Sequence, residues 1–386
     1  MIRLRTVVVL LVGAVAFVAC DSGKPSGVGD AASLDLPAVD AFGEAQAGDT
    51  ESPQPDVPLE PLPEERDEVS AEPVSEIAPL VDVIEAASCA ETSVDSPDVC
   101  PVAVIHVGVG GQVIPQTMLH LDGEGSHSTA GPITHYEWEV EQPSLSASVF
   151  VPTASYPSPA FEANVVGKYV FKLNVWDACG HKSCVAAEEV VFVAPNQAIH
   201  IELLWTSPGD ANPYDEGPTA GTDLDLHLAH PNAAQEDLDG DGAKDPWFDP
   251  TWDCFWFYPL QNWGSVSSTD DNPNLDRDDV DGNGPENMNL AVPEDGKTYR
   301  IGVNYWDDHG FGHAFATVRV YIYGTLAYEV TNVELAMHDL WWVATLDWPG
   351  GVVTTKLAPN GGYWIAHDYH HPLFYQPSDS SAGYQP

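Results

Sequence analysis

The sequence predicts an all-β protein: two antiparallel β-sandwiches that follow a disordered acidic tether. Three observations carry this expectation. From Pro101 onward, short runs of alternating apolar and polar residues are separated by Gly, Pro and Ser, the texture of strands joined by tight turns. Trp (12), Tyr (14) and Phe (12) are plentiful enough to fill cores despite the acidic excess. Residues 21–88, by contrast, are rich in Pro, Ala, Ser and Asp/Glu, carry only Lys24 and Arg66 as cations, and lack Trp and Tyr. Such a stretch buries too little apolar surface to offset its ordering entropy.

The chain has 386 residues and a formal net charge of −46, from 13 Lys+Arg against 59 Asp+Glu. That charge disfavours nucleic acid and anionic lipid surfaces as partners and attracts cations.

Residues 1–20 place Arg3 and Arg5 ahead of an apolar run from Thr6 to Val18, followed by Ala19-Cys20. The run is shorter than the ~20 residues a spanning helix needs, so it reads as a secretory signal. With cysteine at the cleavage point it resembles the lipobox of bacterial lipoproteins, which implies lipidation at Cys20, a membrane-anchored chain and a place in the cell envelope. Asp21 leaves inner and outer membrane both open. Charge repulsion and prolines keep the tether, residues 21–88, extended.

In residues 89–195, strands are expected at Val102–Val107, Gln112–Leu121, His135–Val140, Ser148–Val151, Tyr169–Trp176 and Val185–Val193. The segments Leu119-His-Leu-Asp-Gly-Glu-Gly-Ser126, Ile133-Thr-His-Tyr-Glu-Trp138 and Gly167-Lys-Tyr-Val-Phe-Lys-Leu-Asn-Val175 resemble a PKD-type, immunoglobulin-like domain. The family's Trp-Asp-Phe-Gly-Asp-Gly segment is replaced here by Trp138-Glu-Val-Glu. Trp138 is expected in the core. Beyond Cys20 the chain has Cys89, Cys100, Cys179, Cys184 and Cys254. Two connectivities stay open: Cys179–Cys184 with Cys89–Cys100, or Cys100–Cys184 across the sandwich. Cys254 is left over among aromatic residues.

The second sandwich is expected over residues 196–358, with strands at Ile199–Trp205, Gly221–Pro231, Thr298–Trp306, Ala316–Tyr323, Leu326–Val330 and Trp341–Leu346. In Asp223-Leu-Asp-Leu-His-Leu228 the leucines face one way and Asp223, Asp225 and His227 the other, a polar face that is either solvated or liganding. Asp276, Asp278, Asp281 and Glu286 form a carboxylate cluster in a glycine-rich turn downstream. The Asp-Leu-Asp-Leu-His segment, the Asp…Gly-x-Gly-Pro-Glu segment and the strand Lys297–Trp306 occur in the order found in the YfaP-like family of secreted bacterial proteins. That resemblance implies a β-sandwich and brings no catalytic residues.

Asp237–Asp249 carries carboxylates at loop positions 1, 3, 5 and 9 (Asp237, Asp239, Asp241, Asp245) and Gly242 at position 6. Position 7, Ala243, offers its backbone carbonyl. Ca²⁺ takes six to eight oxygens at roughly 2.3–2.6 Å, which alternating aspartates in a turn supply. Phe248 occupies position 12, where a bidentate glutamate is usual, and Asp249 is the candidate substitute. The loop resembles those of thrombospondin type 3 and dockerin-like repeats. A solvated acidic turn is the alternative. Asp276–Glu286 is a candidate second site, completed by Asp223 or Asp225.

Residues 359–386 read as an aromatic, polar tail in which His367, His370 and His371 are either a transition-metal group or an inert surface cluster. No His-Glu-x-x-His, Gly-x-Ser-x-Gly or phosphate-cradling loop occurs. The sequence therefore predicts a non-enzymatic, calcium-binding envelope lipoprotein that acts as a binding or adhesion module toward a glycan or protein. A hydrolase using the acidic clusters and a purely structural envelope protein are the alternatives.

Overall fold

The computed structural model describes residues 100–374, apart from 216, 281 and 373. Cys20, the tether, Cys89 and Asp281 lie outside the described residues. Among those described there is no α-helix, and the strands form four sheets paired into two sandwiches, as expected.

The first sandwich contains β1 (His106–Val107), β2 (Gln112–Val113), β3 (Thr117–Asp122) and β4 (Ile133–Glu141). It continues with β5 (Phe150–Val151), β6 (Ala160–Ala163), β7 (Gly167–Asp177) and β8 (Ala187–Val193). One sheet runs β1-β3-β6-β5 and the other β2-β8-β7-β4. Alternation explains the core: Tyr169, Phe171, Leu173 and Val175 of β7 all point inward and meet Leu119, Leu121, Phe161 and Trp138. The expected single strand Gln112–Leu121 is in fact two. Pro115 donates no hydrogen bond and Gln116 takes a positive φ of 61°, so the chain leaves one sheet and enters the other. β2 consequently pairs parallel to β8, while β3 pairs with β1 and β6. Cys100 is bonded to Cys184, which settles the open connectivity across the sandwich, and Cys179 is disulfide-bonded as well. Cys254 is free and buried.

The second sandwich begins with β9 (Ile199–Thr206) and β10 (Asp223–Ala229). Short strands follow: β11 (Asp253–Cys254), β12 (Pro273–Leu275) and β13 (Glu286–Leu290). Then come β14 (Thr298–Asp307), β15 (Ala314–Ile322), β16 (Thr325–Leu335), β17 (Leu340–Asp347), β18 (Val352–Thr355) and β19 (Trp364–Ala366). One sheet is ordered β12-β13-β9-β15-β16, the other β11-β10-β14-β17-β18, with β19 also on β17. The segment read as a tail thus supplies a strand, and Tyr369 and His371 beyond it are buried. The main core joins Ile201, Leu203 and Trp205 to Leu224, Leu226, Leu228, Val303 and Trp341. A second core, under the insert at 232–272, gathers Trp247, Phe248, Phe255 and Tyr369. The aromatic run from Trp247 is therefore mostly core, with Phe257 half exposed.

The two sandwiches meet along a polar seam. Glu202 of β9, fully buried, accepts a hydrogen bond from the backbone N–H of Val166 at 2.8 Å. Its other oxygen accepts from Arg319 of β15 at 3.2 Å. Arg277 forks onto Glu162 of β6, and Gln116 donates to the Pro285 carbonyl.

Candidate metal centre

β10 is buried along its whole length, so its polar face is not solvated. Leu224, Leu226 and Leu228 fill the main core, and the opposite face carries Asp223, Asp225 and His227 beneath other chain segments. His227 turns away to the second core, where Nδ1 meets the Asp253 carboxylate at 2.7 Å and its ring stacks with Phe255. Asp223 and Asp225, two residues apart on one strand face, stay together.

The loop between β12 and β13 covers them. Gly282 and Gly284 have φ of 90° and 70°, a region that favours glycine. A Cβ on Gly282 would stand 2.8 Å from the Gly221 Cα, and one on Gly284 2.8 Å from the Trp205 ring. Only glycine lets the loop lie this close to the start of β10. The loop thereby brings Asp278 to the strand, and one oxygen from each of Asp223, Asp225 and Asp278 lies within 4.8 Å of the others. Trp205 supports the same place from below, donating its indole N–H to the Thr222 carbonyl at 3.1 Å.

Two of these carboxylates are desolvated. Asp223 is 7% and Asp225 2% exposed, whereas Asp278 is exposed. Asp223 Oδ1 and Asp225 Oδ2 are buried with no hydrogen-bond partner. Burial, then neighbouring carboxylates, hold both far above the usual carboxylate range; burial also raises Asp278. Orphaned buried oxygens are costly and uncommon in native proteins. Three carboxylates turned toward one point, with two oxygens lacking donors, form a pocket of negative potential suited to a hard cation. Around a Ca²⁺ with oxygens at roughly 2.3–2.6 Å, opposite donors stand about 5 Å apart, so three oxygens within 4.8 Å of one another can share one ion. Donors that are all oxygen suit Mg²⁺, Ca²⁺ or Mn²⁺ rather than softer metals.

Glu286 lies beside the centre in a positioning role. β11 pairs only with Leu228 and Ala229, so the Leu226 N–H has no strand opposite it. Glu286 Oε2 accepts that N–H at 2.6 Å, and Oε1 accepts the Asp279 N–H at 3.2 Å. With both oxygens engaged it holds strand and loop together. Asp276 is not part of the group: its carboxylate accepts from Asn289 at 2.6 Å.

The loop singled out by its spacing forms a second group of Asp237, Asp239 and Asp245. Asp237 accepts the N–H groups of Gly240 and Gly242 at 2.7 and 2.8 Å, and Asp245, 6% exposed, accepts from Leu238 and the Tyr369 hydroxyl. Burial raises Asp239 and Asp245. Asp241 and Asp249 do not join the group. Asp241 accepts the Ala243 N–H, and Asp249 ties down Ala234, Thr251 and Trp252 through their N–H groups. These hydrogen bonds lower the Asp249 carboxyl even against its burial. Phe248, at position 12, is core, 1% exposed with φ 61°. The tail histidines separate: His367 pairs with Asp339, His370 with His338, and His371 packs on Phe248 and Phe374.

No protein-family model and no curated protein matches the sequence. Among solved structures, the chain is similar to the PKD1 domain of Vibrio anguillarum Epp, at 20% identity and a TM-score of 0.19, over 24% of this chain and 95% of that one. It is also similar to a carbohydrate-binding module of the β-sandwich superfamily, at 12% identity and a TM-score of 0.20, over 60% of this chain and 99% of that one. At such TM-scores neither likeness bears on function.

Proposed function

We propose that the protein is a non-enzymatic, calcium-dependent binding module of the bacterial cell envelope. The observation that carries this reading is the pair of buried, unpartnered oxygens on Asp223 and Asp225, two carboxylates that converge with that of Asp278. A divalent cation supplies what the protein withholds there, and Ca²⁺ suits a site of few carboxylates and irregular geometry better than Mg²⁺, which demands a near-ideal octahedron. Asp237, Asp239 and Asp245 form a second, more exposed calcium site. Calorimetric titration of the mature chain with Ca²⁺, after chelator treatment, should show saturable binding with Kd in the ~10⁻⁴–10⁻³ M range of extracellular calcium modules. A titration indistinguishable from buffer would discard the reading.

Anchoring through lipidated Cys20 and the acidic tether holds this module away from the membrane. Replacing Cys20 by alanine is expected to move the protein from the membrane fraction to the soluble one; unchanged membrane attachment would contradict the anchor.

A further inference from the structure

The centre borders a cleft, and the cation reading gives that cleft a chemistry. The cleft, about 400 Å³, lies in the seam between the sandwiches. Met118, Glu162 and Asn164 line it from the first sandwich, and Tyr214, Arg277 and Asp278 from the second. Asp278 belongs at once to the metal group and to the cleft wall, so a cation held by Asp223, Asp225 and Asp278 would sit beside the cleft. Three carboxylates leave several of calcium's six to eight oxygen positions unfilled.

The walls narrow the class of ligand. Among the charged groups of the lining carboxylates prevail, with Asp215, Asp278 and Asp279 besides Glu162, and Arg277, the one cationic side chain among the described lining residues, forks onto Glu162. An anionic ligand would have the cation alone to set against these charges. A neutral polyol meets both demands together: each hydroxyl oxygen gives a lone pair to the cation while its proton is donated to a carboxylate. Tyr214, 60% exposed, offers a ring against which the apolar face of a sugar can lie. The volume falls within the ~300–1,000 Å³ of small-ligand sites.

We propose, resting on the calcium reading above, that the seam binds a neutral glycan through vicinal hydroxyls that complete the coordination of the cation at Asp223, Asp225 and Asp278. The unpartnered buried oxygens of Asp223 and Asp225 point to the cation independently of the acidic clustering.

The test is retention of the mature chain on a panel of neutral glycans presenting cis and trans vicinal diols, in millimolar Ca²⁺ and in chelator. At least one glycan should be retained, with roughly tenfold or greater loss in chelator. Met118→Trp, which fills the cleft from a half-exposed position on β3, should give a similar loss while leaving the calorimetric calcium heat unchanged. Calcium binding without retention of any neutral glycan overturns the proposal and leaves the cation centre standing, as does retention indifferent to chelator or to Met118→Trp. A chain that binds no calcium removes the cation centre and the proposal together.

Discussion

Asp225→Asn is expected to reverse the order of stability between calcium and chelator. In wild type, saturating Ca²⁺ at about 100 times Kd adds about 2.7 kcal/mol. For a domain of this size each kcal/mol is worth about 2–4 °C, so the second sandwich should melt about 5–10 °C higher in calcium than in chelator. The amide keeps the volume and one oxygen but removes the charge, so the increment from this centre disappears while that from Asp237, Asp239 and Asp245 remains. In chelator the sign changes. Burial, Asp223, Glu286 and Asp278 all oppose a charge on Asp225, and asparagine carries none at any pH. The chelated variant should therefore melt at least as high as chelated wild type. Differential scanning calorimetry of both proteins at constant ionic strength decides the matter: a variant less stable in both conditions by the same amount would make Asp225 a packing residue only.

The second large effect concerns pH and the seam. Glu202 is fully buried, and burial pushes its carboxyl from 4.5 up to about 6, although Val166 and Arg319 oppose the rise. A carboxyl that holds its proton more tightly in the fold contributes stability that is fully present below about 4.5 and lost as the pH rises through about 6. At 1.36 kcal/mol per unit, the contribution is about 2 kcal/mol. Glu202→Gln keeps an acceptor for Val166 and cannot titrate. In chelator, urea unfolding of wild type and variant at pH 4 and pH 7 should show wild type losing about 2 kcal/mol relative to the variant on going to the higher pH. Carboxylates common to both proteins cancel in that difference. A difference that stays flat would mean that Glu202 ionises as an exposed glutamate does.

Much of this architecture was legible because strands of six or more residues leave a period. The alternation of Asp223 to Leu228 gave β10 and its two faces, and Trp138 was readable as core. Strands of two to four residues, such as β6, β11, β12 and β19, are too short to show a period, and pairing with longer neighbours defines them. β13 alternates, yet its first residue, Glu286, looked like the end of an acidic turn. The candidate centre was half legible. Spacing brings Asp237, Asp239 and Asp245 together, and of the Asp276–Glu286 stretch Asp278 lies with Asp223 and Asp225. Burial was not legible. The regular spacing of the Asp237–Asp249 loop drew attention to the more solvated group, whereas the desolvated one arises where a glycine-rich loop crosses a strand some fifty residues away in sequence. Nor does spacing show that Asp249 and Glu286 direct their oxygens to backbone N–H groups.

The two acidic loops differ in how much they could change without changing the rest. Around Gly240 and Gly242 there is open space on the Cβ side, so the tip of that loop can be lengthened, exchanged or grafted elsewhere while the sandwich keeps its shape. The loop through Gly282 and Gly284 has no such latitude, because a single methyl group there meets Gly221 or Trp205. The first is open at its tip while Asp245 ties its far end to Tyr369. The other is woven into the fold, so any redesign of its cation preference has to proceed through side chains at Asp223, Asp225 and Asp278 on an unaltered backbone.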